Sequence, residues 1–408
     1  MDPIHYLLNI PSKKIKYGLS RTYDLLSMCG NPEKNLLTIQ IVGTNGKGSV
    51  ASLMANTLQD GGYRVGLYTS PHLIDIKERI RINFKMISNQ TINFFLIQYN
   101  NEIEKIKPSF FELMTVIAIW YFKQQNIDLA ILETGLGGRL DSVTACKNDY
   151  IVFTSISSDH NDILGSSLEK IAKEKGGAIL SSNQICLSIA QKTIIKKTLI
   201  NQAKKAKNKI DFLASNNNKL SRKYFKYFNG QHQYYNSQLA QAAIEQLIKN
   251  NIVRLQNSQV IKSMKLTFWP GRFQIISKNP TVIYDVAHNT EGIKTFIETF
   301  KNLYNNQKYK FLICGLEYNK KIQNIAPELG ALFDEVICTE TGVRKSMAAK
   351  ELENIFNHDK TTIIQDANQA LNYIIKKANN NDIIAIVGSH FFAPFINNYY
   401  KNCFAIHK

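Results

Sequence analysis

The sequence predicts an α/β protein of two domains, each built on a mostly parallel sheet. Its 408 residues exceed what one typical core holds, so two domains are expected. Short apolar runs alternate with amphipathic stretches along most of the chain, a pattern typical of strands separated by helices. Strands joined by helices form parallel sheets with helices on both faces. We place the boundary at Trp269-Pro270-Gly271, which gives domains over 1–268 and 271–408.

The order of the predicted elements supports this division. In the first domain, Val50, Leu53 and Leu58 recur at helical spacing directly after the first strand, and Gly61-Gly62 end that helix. The strands predicted there are 36–42, 64–69, 129–132 and 150–156. The second domain repeats the alternation and is expected to be a smaller, Rossmann-like, doubly wound sheet. Its predicted strands are 281–286, 311–315, 335–339, 361–365 and 383–387.

Composition excludes several classes of protein. The longest apolar run, Leu113–Phe122, has only about ten residues and predicts a buried helix, because a membrane span needs about twenty. No basic region precedes an apolar stretch at the N-terminus, so a signal peptide is not expected. The cysteines contain no C-x-x-C pair and fit reduced thiols. We expect a cytoplasmic monomer that has no membrane partner.

The net charge of +18 fits a nucleic-acid partner, anionic small substrates or compositional drift. Because lysines are spread along the whole chain and form no single stripe with interleaved aromatic residues, drift is the favoured interpretation. No nucleic-acid partner is therefore expected.

A phosphate-binding loop is the first chemical feature of the sequence. Residues 41–53, IVGTNGKGSVASL, depart from G-x-x-x-x-G-K-[ST], since Ile41 replaces the first glycine and Gly48 the hydroxyl residue. Glycines still allow backbone N–H groups to surround a phosphate at a helix N-terminus. Lys47 supplies a cation for the transferred phosphate, and Ser49 a hydroxyl. Strand, lysine and hydroxyl together favour nucleotide binding.

Polar residues follow two other predicted strands. Glu133 ends the apolar run LAIL, at the end of a strand where ligands bind in such sheets and where a carboxylate could hold Mg²⁺. Considered alone, Glu133 could equally cap its strand. His160, flanked by two aspartates, is as good a candidate for a ligand as for a structural residue. The glycines of 135–139 do not make a dinucleotide-binding motif, because its third glycine would fall on Leu140.

A series of motifs, in order over nearly the whole chain, resembles the folylpolyglutamate synthase/dihydrofolate synthase family of the Mur ligase superfamily. The motifs are GTNGKGS (43–49), TSPHLIDIKERIRIN (69–83), FFELMT (110–115), ILETGLGGRLDS (131–142), SISSDHND (155–162), EKGG (174–177), WPGRFQ (269–274), DVAHN (285–289) and IVGS (386–389). ERIRIN and GRLD distinguish this family from the peptidoglycan ligases. The resemblance implies a Mur-ligase-like P-loop ATPase domain followed by a glutamate-ligase domain, and a shorter glycine spacing in the loop is normal there.

The resemblance also implies an ATP and metal site. The residues matching ATP contacts are Thr44, Asn45, Gly46, Lys47, Gly48, Ser49, Asn236, Arg272 and Asp285. Those matching the ligands of two magnesium ions are Ser70, Glu133 and His160. Lys175 matches a lysine that the family carbamylates, and a carbamate would replace its cation by oxygen donors for the second ion and the acyl phosphate.

Further positions match the substrate sites. Those of the pterin pocket are Ser109, Phe110, Phe111, Glu112, Leu140, Asp141 and Ser142. His288 and Ser389 match positions near the incoming glutamate, and the residues implied in catalysis are Lys47, Lys175 and His288. The family pattern is broken at 317–321, which lacks the usual acids, and at His390 beside Ser389.

These features predict an ATP-dependent amide ligase. It would add L-glutamate to dihydropteroate, to reduced folates or to both, through an acyl phosphate, with ATP and two Mg²⁺ as cofactors. One alternative is a Mur-type ligase acting on a nucleotide-sugar peptide. The other is a P-loop ATPase stimulated by nucleic acid.

Overall fold

The computed structural model describes residues 6–7, 10, 18–214, 225–304, 308–343 and 345–406. The chain divides into two compact units. The first contains Met1–Asn218 and Tyr235–Lys265, and the second contains Lys219–Tyr234 and Leu266–Lys408. This division assigns Lys219–Tyr234 to the second unit, whereas we predicted an uninterrupted first domain over 1–268.

The first unit is built on an eight-stranded sheet of order β4-β3-β2-β5-β1-β6-β7-β8. The strands are β1 (Thr38–Val42), β2 (Val65–Tyr68), β3 (Ile80–Ile82), β4 (Lys85–Met86), β5 (Leu129–Glu133), β6 (Tyr150–Phe153), β7 (Ile185–Ser188) and β8 (Asp211–Phe212). In the order β2-β5-β1-β6-β7-β8 each strand is parallel to its neighbour. β3 and β4 are added antiparallel at the edge beside β2. Every residue of β1 and β5 is buried, as expected of central strands covered on both faces.

Helices cover this sheet. They are α1 (Ser20–Met28), α2 (Lys47–Asp60), α3 (Asn89–Gln98), α4 (Asn100–Ile106), α5 (Phe110–Gln124), α6 (Asn161–Leu164), α7 (Leu168–Gly176), α8 (Thr193–Lys205), α9 (Gln231–Lys249) and α10 (Asn257–Leu266). One apolar cluster joins β2 to α3 and α5, and another joins β6 to α7 and α8. The predicted buried helix over Leu113–Phe122 is the central part of α5. In the part of the chain that the structure describes, no helix is long and apolar enough to cross a membrane.

The second unit contains a six-stranded sheet of order β13-β12-β11-β14-β10-β9. Its strands are β9 (Gln274–Lys278), β10 (Thr281–Asp285), β11 (Lys310–Cys314), β12 (Glu335–Glu340), β13 (Thr361–Asp366) and β14 (Ile383–Val387). Only the edge strand β9 is antiparallel to its neighbour. The accompanying helices are α11 (Thr290–Leu303), α12 (Ala326–Gly330), α13 (Ala349–Phe356), α14 (Ala367–Lys377) and α15 (Ala393–Tyr399).

The predicted fold class is confirmed, because both units are α/β with mostly parallel sheets. In the second unit the connections from β10 through β11 and β12 to β13 all run toward one edge, and the connection from β13 then reverses direction and places β14 between β11 and β10. Such a switch in strand order opens a crevice at the carboxyl ends of the strands, where ligands bind in doubly wound sheets.

Candidate active site

The carboxyl ends of four parallel strands bring most of the predicted site residues of the first unit to one edge. The phosphate loop follows β1, Ser70 follows β2, Glu133 ends β5, and the segment with His160 follows β6. The register keeps these ends level, since Ile41 pairs with Glu133 in β5 and β6 pairs directly with β1. The edge therefore combines the predicted phosphate-binding loop with oxygen donors.

Two glycines shape the phosphate loop. Gly46 caps α2 with φ of 88°, a left-handed conformation that other residues rarely adopt. At Gly43 a Cβ atom would lie 1.8 Å from Thr154 Oγ1, so the loop can approach the end of β6 only if this residue has no side chain. The Thr44 N–H donates to Ser155 O at 2.8 Å and fixes the approach.

Lys47 and Ser49 lie in the first turn of α2. The Lys47 ammonium donates to the carbonyl oxygens of Gly43 at 3.3 Å and Thr44 at 3.1 Å, so its side chain bends back over the loop. The hydroxyl of Ser49 is buried and has no hydrogen-bond partner among the described residues. Because buried polar atoms are almost always paired, this hydroxyl suits an added oxygen ligand or a metal ion.

Glu133 and Ser70 are in direct contact. The Ser70 N–H donates to Glu133 Oε2 at 3.0 Å, and the Glu133 side chain is buried. His160 has a left-handed φ of 51°, and its Nε2 lies 3.9 Å from Asp159 Oδ2. No group of three or more His, Cys, Asp or Glu residues able to hold a metal occurs in the described ranges. The predicted set contains only two residues of these types, so Mg²⁺ would need phosphate and water oxygens as well.

Lys175 lies inside the protein, although its place on a helix made a surface position the ordinary expectation. Its side chain is only 4% exposed, and Nζ donates to Gly43 O at 2.7 Å. Burial, and then the charge of Lys47, lower the pKa of Lys175 to about 7. The structure therefore places an amine that deprotonates near neutral pH against the phosphate loop.

The loop after β5 is packed against the end of α7. A Cβ atom on Gly138 would lie 2.5 Å from the carbonyl oxygen of Lys175, so the two backbones are in close contact. The Arg139 N–H donates to Glu174 O at 2.8 Å, and the two side chains form an ion pair at 3.1 Å. This contact holds Lys175 beside the segment that begins at Glu133.

Asp141 stabilises its own turn. Its carboxylate accepts hydrogen bonds from the N–H groups of Leu136 at 2.8 Å and Val143 at 3.0 Å, the second as the cap of a 3₁₀ turn over Ser142–Cys146. Burial raises the pKa of Asp141 to about 6, although those two N–H groups favour the charged form. Asp141 therefore caps this turn, and a role in binding pterin stays a prediction.

The predicted pterin-pocket residues at the start of α5 divide into two kinds. Ser109 and Glu112 form a capping box, and Glu112 also pairs with Arg21 at 2.9 Å. The rings of Phe110 and Phe111 instead face other side chains, the second lying 5.8 Å from the ring of Tyr68. The polar members therefore have structural partners, and the rings are the members suited to contact a flat substrate.

Sequence reasoning missed Arg79 and His72 in this region. Arg79 is buried, donates from Nε to His72 Nδ1 at 2.9 Å and lies over the Phe110 ring at 5.2 Å. The sequence feature that could have pointed to Arg79 is the alternation of two arginines with two isoleucines in ERIRIN (78–83).

Asn236 reaches the phosphate loop from α9. A Cβ atom on Gly46 would lie 2.5 Å from Asn236 Oδ1, so this amide is packed against the loop. The other residues predicted to contact ATP, Arg272 and Asp285, belong to the second unit.

The second unit has its own cluster at the switch point of its sheet. The Asp285 carboxylate accepts from the N–H groups of Phe273 and Ala287, each at 2.7 Å, and burial raises its pKa while Arg272 opposes the shift. His288 Nδ1 lies 2.8 Å from the Val286 carbonyl oxygen.

Ser389 follows β14, the strand beside β10, and caps a short turn through the N–H of Phe391 at 3.1 Å. Asp285, His288 and Ser389 thus lie at the carboxyl ends of neighbouring strands.

Comparison with known proteins places these features in a family. Residues 41–255 match the Mur ligase middle domain, and residues 271–390 match the Mur ligase glutamate ligase domain. The dihydrofolate synthase/folylpolyglutamate synthase of Bacillus subtilis (strain 168) is 30% identical over 403 residues, which cover 93% of this chain and 94% of that protein.

Solved structures agree with this match. Escherichia coli FolC in complex with DHPP and ADP has a TM-score of 0.83 at 26% identity, over 97% of this chain and 96% of that one. A bifunctional folylpolyglutamate synthase/dihydrofolate synthase from Yersinia pestis, complexed with AMPPNP and Mn ion, has a TM-score of 0.84 at 24% identity and covers 97% and 96%. At 24% identity, the similarity to the Yersinia pestis structure shows a shared fold.

Gly43→Ala tests the packing of the phosphate loop. We expect this variant to lower the free energy of unfolding by about 2 kcal/mol or more, because the added methyl group overlaps Thr154. Gly62→Ala is the matched control, since Gly62 also has a positive φ but nothing lies within 4 Å of its Cβ position. The control should lose only about 1 kcal/mol from backbone strain. Equal losses in urea denaturation would contradict the packing argument.

Asp141→Asn tests the buried carboxylate. The folded-state pKa of about 6 lies above the ordinary value of 3.8, so the folded protein binds the proton more tightly and the free energy of unfolding falls as pH rises between these values. Relative to Asp141→Asn, the wild type should lose on the order of 2 kcal/mol between pH 4 and pH 7.

The check is urea denaturation across that pH range, with Asp24→Asn as an exposed control. A pH-independent difference between wild type and Asp141→Asn would show that Asp141 is not buried as described.

Proposed function

Because this chain belongs to the dihydrofolate synthase/folylpolyglutamate synthase family of Mur ligases, we propose that it joins L-glutamate to a carboxylate of dihydropteroate or of a reduced folate, with conversion of ATP to ADP and phosphate. The observation that carries this function is the edge of the first sheet. There a phosphate loop, the Glu133 carboxylate and the buried amine of Lys175 lie together.

The chemistry requires activation of a carboxylate. A carboxylate is a poor electrophile at neutral pH, so its oxygen first attacks the γ-phosphorus of ATP and ADP leaves. The amine of glutamate then attacks the carbonyl carbon of the acyl phosphate, loses a proton and expels phosphate. The protein must therefore hold the triphosphate, neutralise its charge and orient the two substrates.

We propose that the loop 44–49 holds the phosphates of ATP. Its N–H groups lie at the N-terminus of α2, where they favour an anion. Lys47 currently bonds two backbone carbonyl oxygens, which are weaker partners than a phosphate, so its charge is available to the transferred group. Asn236, packed against Gly46, is proposed to contact the nucleotide from the side of the loop.

A divalent metal fits the same edge. Ser70, Glu133 and His160 are proposed to hold Mg²⁺. The hydroxyl of Ser49, which has no hydrogen-bond partner in the part of the chain that the structure describes, fits the oxygen-rich surroundings that this ion prefers. When bound, Mg²⁺ neutralises charge on the phosphate oxygens and aligns them for transfer. Two such ions are proposed, with the second held partly by Lys175 after modification.

Lys175 is proposed to be carbamylated. A buried ammonium beside Lys47 and beside metal ions would be repelled, whereas a carbamate is an anion with oxygen donors. The neutral amine of Lys175 attacks carbon dioxide and loses a proton, which forms the carbamate. The burial that favours the neutral amine thus also favours the modification.

The pteroate or folate substrate is proposed to bind between 109–112 and 140–142. Phe110 and Phe111 offer aromatic faces to the ring system, and Asp141 can accept hydrogen bonds from an aminopyrimidine edge. In the second unit, Arg272 and Asp285 are proposed to contact the nucleotide.

His288 and Ser389 are proposed to bind the glutamate that is added. Both lie at strand ends around the switch point, where a polar amino-acid substrate can meet backbone and side-chain donors. We further propose that the protein is cytoplasmic and acts as a monomer without a nucleic-acid partner.

One assay tests the function. Release of ADP is measured with dihydropteroate or tetrahydrofolate, each with and without L-glutamate. We expect ADP release only when L-glutamate is present together with one of these two substrates. Activity on a nucleotide-sugar peptide instead would favour the other Mur ligases. Hydrolysis of ATP that rises with RNA and falls with salt would favour the ATPase alternative.

Lys47→Ala tests the phosphate loop. We expect turnover to fall by about 10²–10³-fold while the unfolding midpoint changes little, because the charge of Lys47 acts mainly on the transferred phosphate. Lys85→Ala, at an exposed position on β4, is the control and should keep wild-type turnover. Near-normal ligase activity in Lys47→Ala would remove this loop from the mechanism.

Lys175→Ala tests the proposed carbamate. Most activity should be lost, and short carboxylic acids should restore part of it by supplying an anion in the vacated space. Lys173→Ala, an exposed lysine on the same helix, is the matched control and should be active.

In ¹³C-labelled bicarbonate, wild type and Lys173→Ala should each show a carbamate carbonyl signal by NMR that Lys175→Ala lacks. Full activity of Lys175→Ala, or its failure to lose the signal, would contradict the assignment.

A further inference from the structure

Gln40 is a polar residue at the centre of the first sheet. It lies in β1, between the strands β5 and β6, and its exposure is 0%. The residues on either side of it, Ile39 and Ile41, are apolar, as a central parallel strand normally requires. A buried amide costs free energy unless each of its polar atoms is paired, so its partners show what it does.

The Gln40 amide contacts two segments that follow β5. Its Nε2 donates to Thr134 Oγ1 at 3.0 Å and to Thr144 Oγ1 at 2.8 Å. Its Oε1 accepts from Asn148 Nδ2 at 3.1 Å. All of these partners are buried, so water does not compete for the hydrogen bonds.

The partners extend this network through the loop. Thr144 Oγ1 donates to the carbonyl oxygen of Gly138 at 2.7 Å, and Asn148 Nδ2 also donates to that of Val143 at 2.9 Å. Gln40 therefore contacts both ends of the loop 134–144 directly, and its middle, at Gly138, through Thr144.

The same loop carries or contacts three residues of the candidate site. Thr134 directly follows Glu133, Gly138 is packed against the backbone of Lys175, and Asp141 caps the turn that contains Thr144. We propose that Gln40 is a positioning residue, which holds the loop 134–144 against the strand of the phosphate loop and thereby sets the affinity for the pteroate or folate substrate. This inference rests on the proposed function and adds a determinant of substrate affinity that does not touch the substrate.

A purely structural role makes a different prediction, because removing both partners of a buried hydrogen bond can be nearly neutral for stability. Gln40→Leu alone leaves the Thr134 hydroxyl without its partner. In Gln40→Leu/Thr134→Val that hydroxyl is absent, while Thr144 and Asn148 keep their bonds to Gly138 and Val143. The double variant therefore recovers stability but not the link between β1 and the loop.

The experiment compares wild type, both variants and Asn56→Leu, a control that loses a buried amide bonded to Ser263 in α10. For each protein we measure the urea midpoint, the Kd for ADP, the KM for dihydropteroate and the amide exchange rates of Leu136 and Val143. In Gln40→Leu/Thr134→Val we expect a near wild-type midpoint and Kd for ADP, a KM raised at least about tenfold and faster exchange at both amides. Asn56→Leu should lose stability and keep the wild-type KM.

Return of KM and exchange rates to wild-type values in the double variant would overturn the inference. If that variant does not fold, Gln40→Asn, which is too short to reach both threonines, is measured in its place with the same criteria. If the wild type itself shows no glutamate-dependent ADP release, the proposed function fails. The exchange rates, which need no substrate, then still decide whether Gln40 positions the loop.

Discussion

The site depends on one buried hydrogen bond, from Lys175 Nζ to the carbonyl oxygen of Gly43 at 2.7 Å. It joins the end of α7 to the start of the phosphate loop and brings a second amine close to Lys47. Burial, and then the like charge of Lys47, lower the pKa of Lys175, and the positive charge of Lys47 favours an anion at this position. The proposed binding of the triphosphate and the proposed carbamate would each place negative charge beside these two lysines.

Close backbone contacts make that hydrogen bond possible. Gly43 permits the loop to touch Thr154 after β6, and Gly138 permits the loop after β5 to touch α7. Both loops leave adjacent strands of a parallel sheet, so their positions follow from the register of β1, β5 and β6. A side chain at Gly43 would push the phosphate loop away from Thr154, and one at Gly138 would push the loop after β5 away from α7. The fold therefore supplies the geometry, and the glycines supply the close approach.

The sequence predicted the long central elements well, because buried parallel strands are continuous apolar runs that contrast with the helices beside them. It did not predict the antiparallel strands β3, β4 and β9, or β7 and β8, which are short or lie toward a sheet edge. The phosphate loop and Glu133 were recognisable because each directly follows a strand. The burial of Lys175 and the partners of Gln40 depend on contacts between distant segments, which local patterns do not encode. The capping roles of Asp141 and Glu112 are local, because each carboxylate accepts from N–H groups within five residues of it.

We propose that phosphate transfer takes place where the phosphate loop, Glu133 and Lys175 meet. The most direct measurement is a crystal structure of the protein with a non-hydrolysable ATP analogue and Mg²⁺, grown in bicarbonate. We expect phosphates on the N–H groups of 44–49, a metal ion coordinated by Glu133, and density beyond Lys175 Nζ that fits a carbamate. An unmodified Lys175 still bonded to Gly43, with the phosphates bound away from this loop, would contradict it.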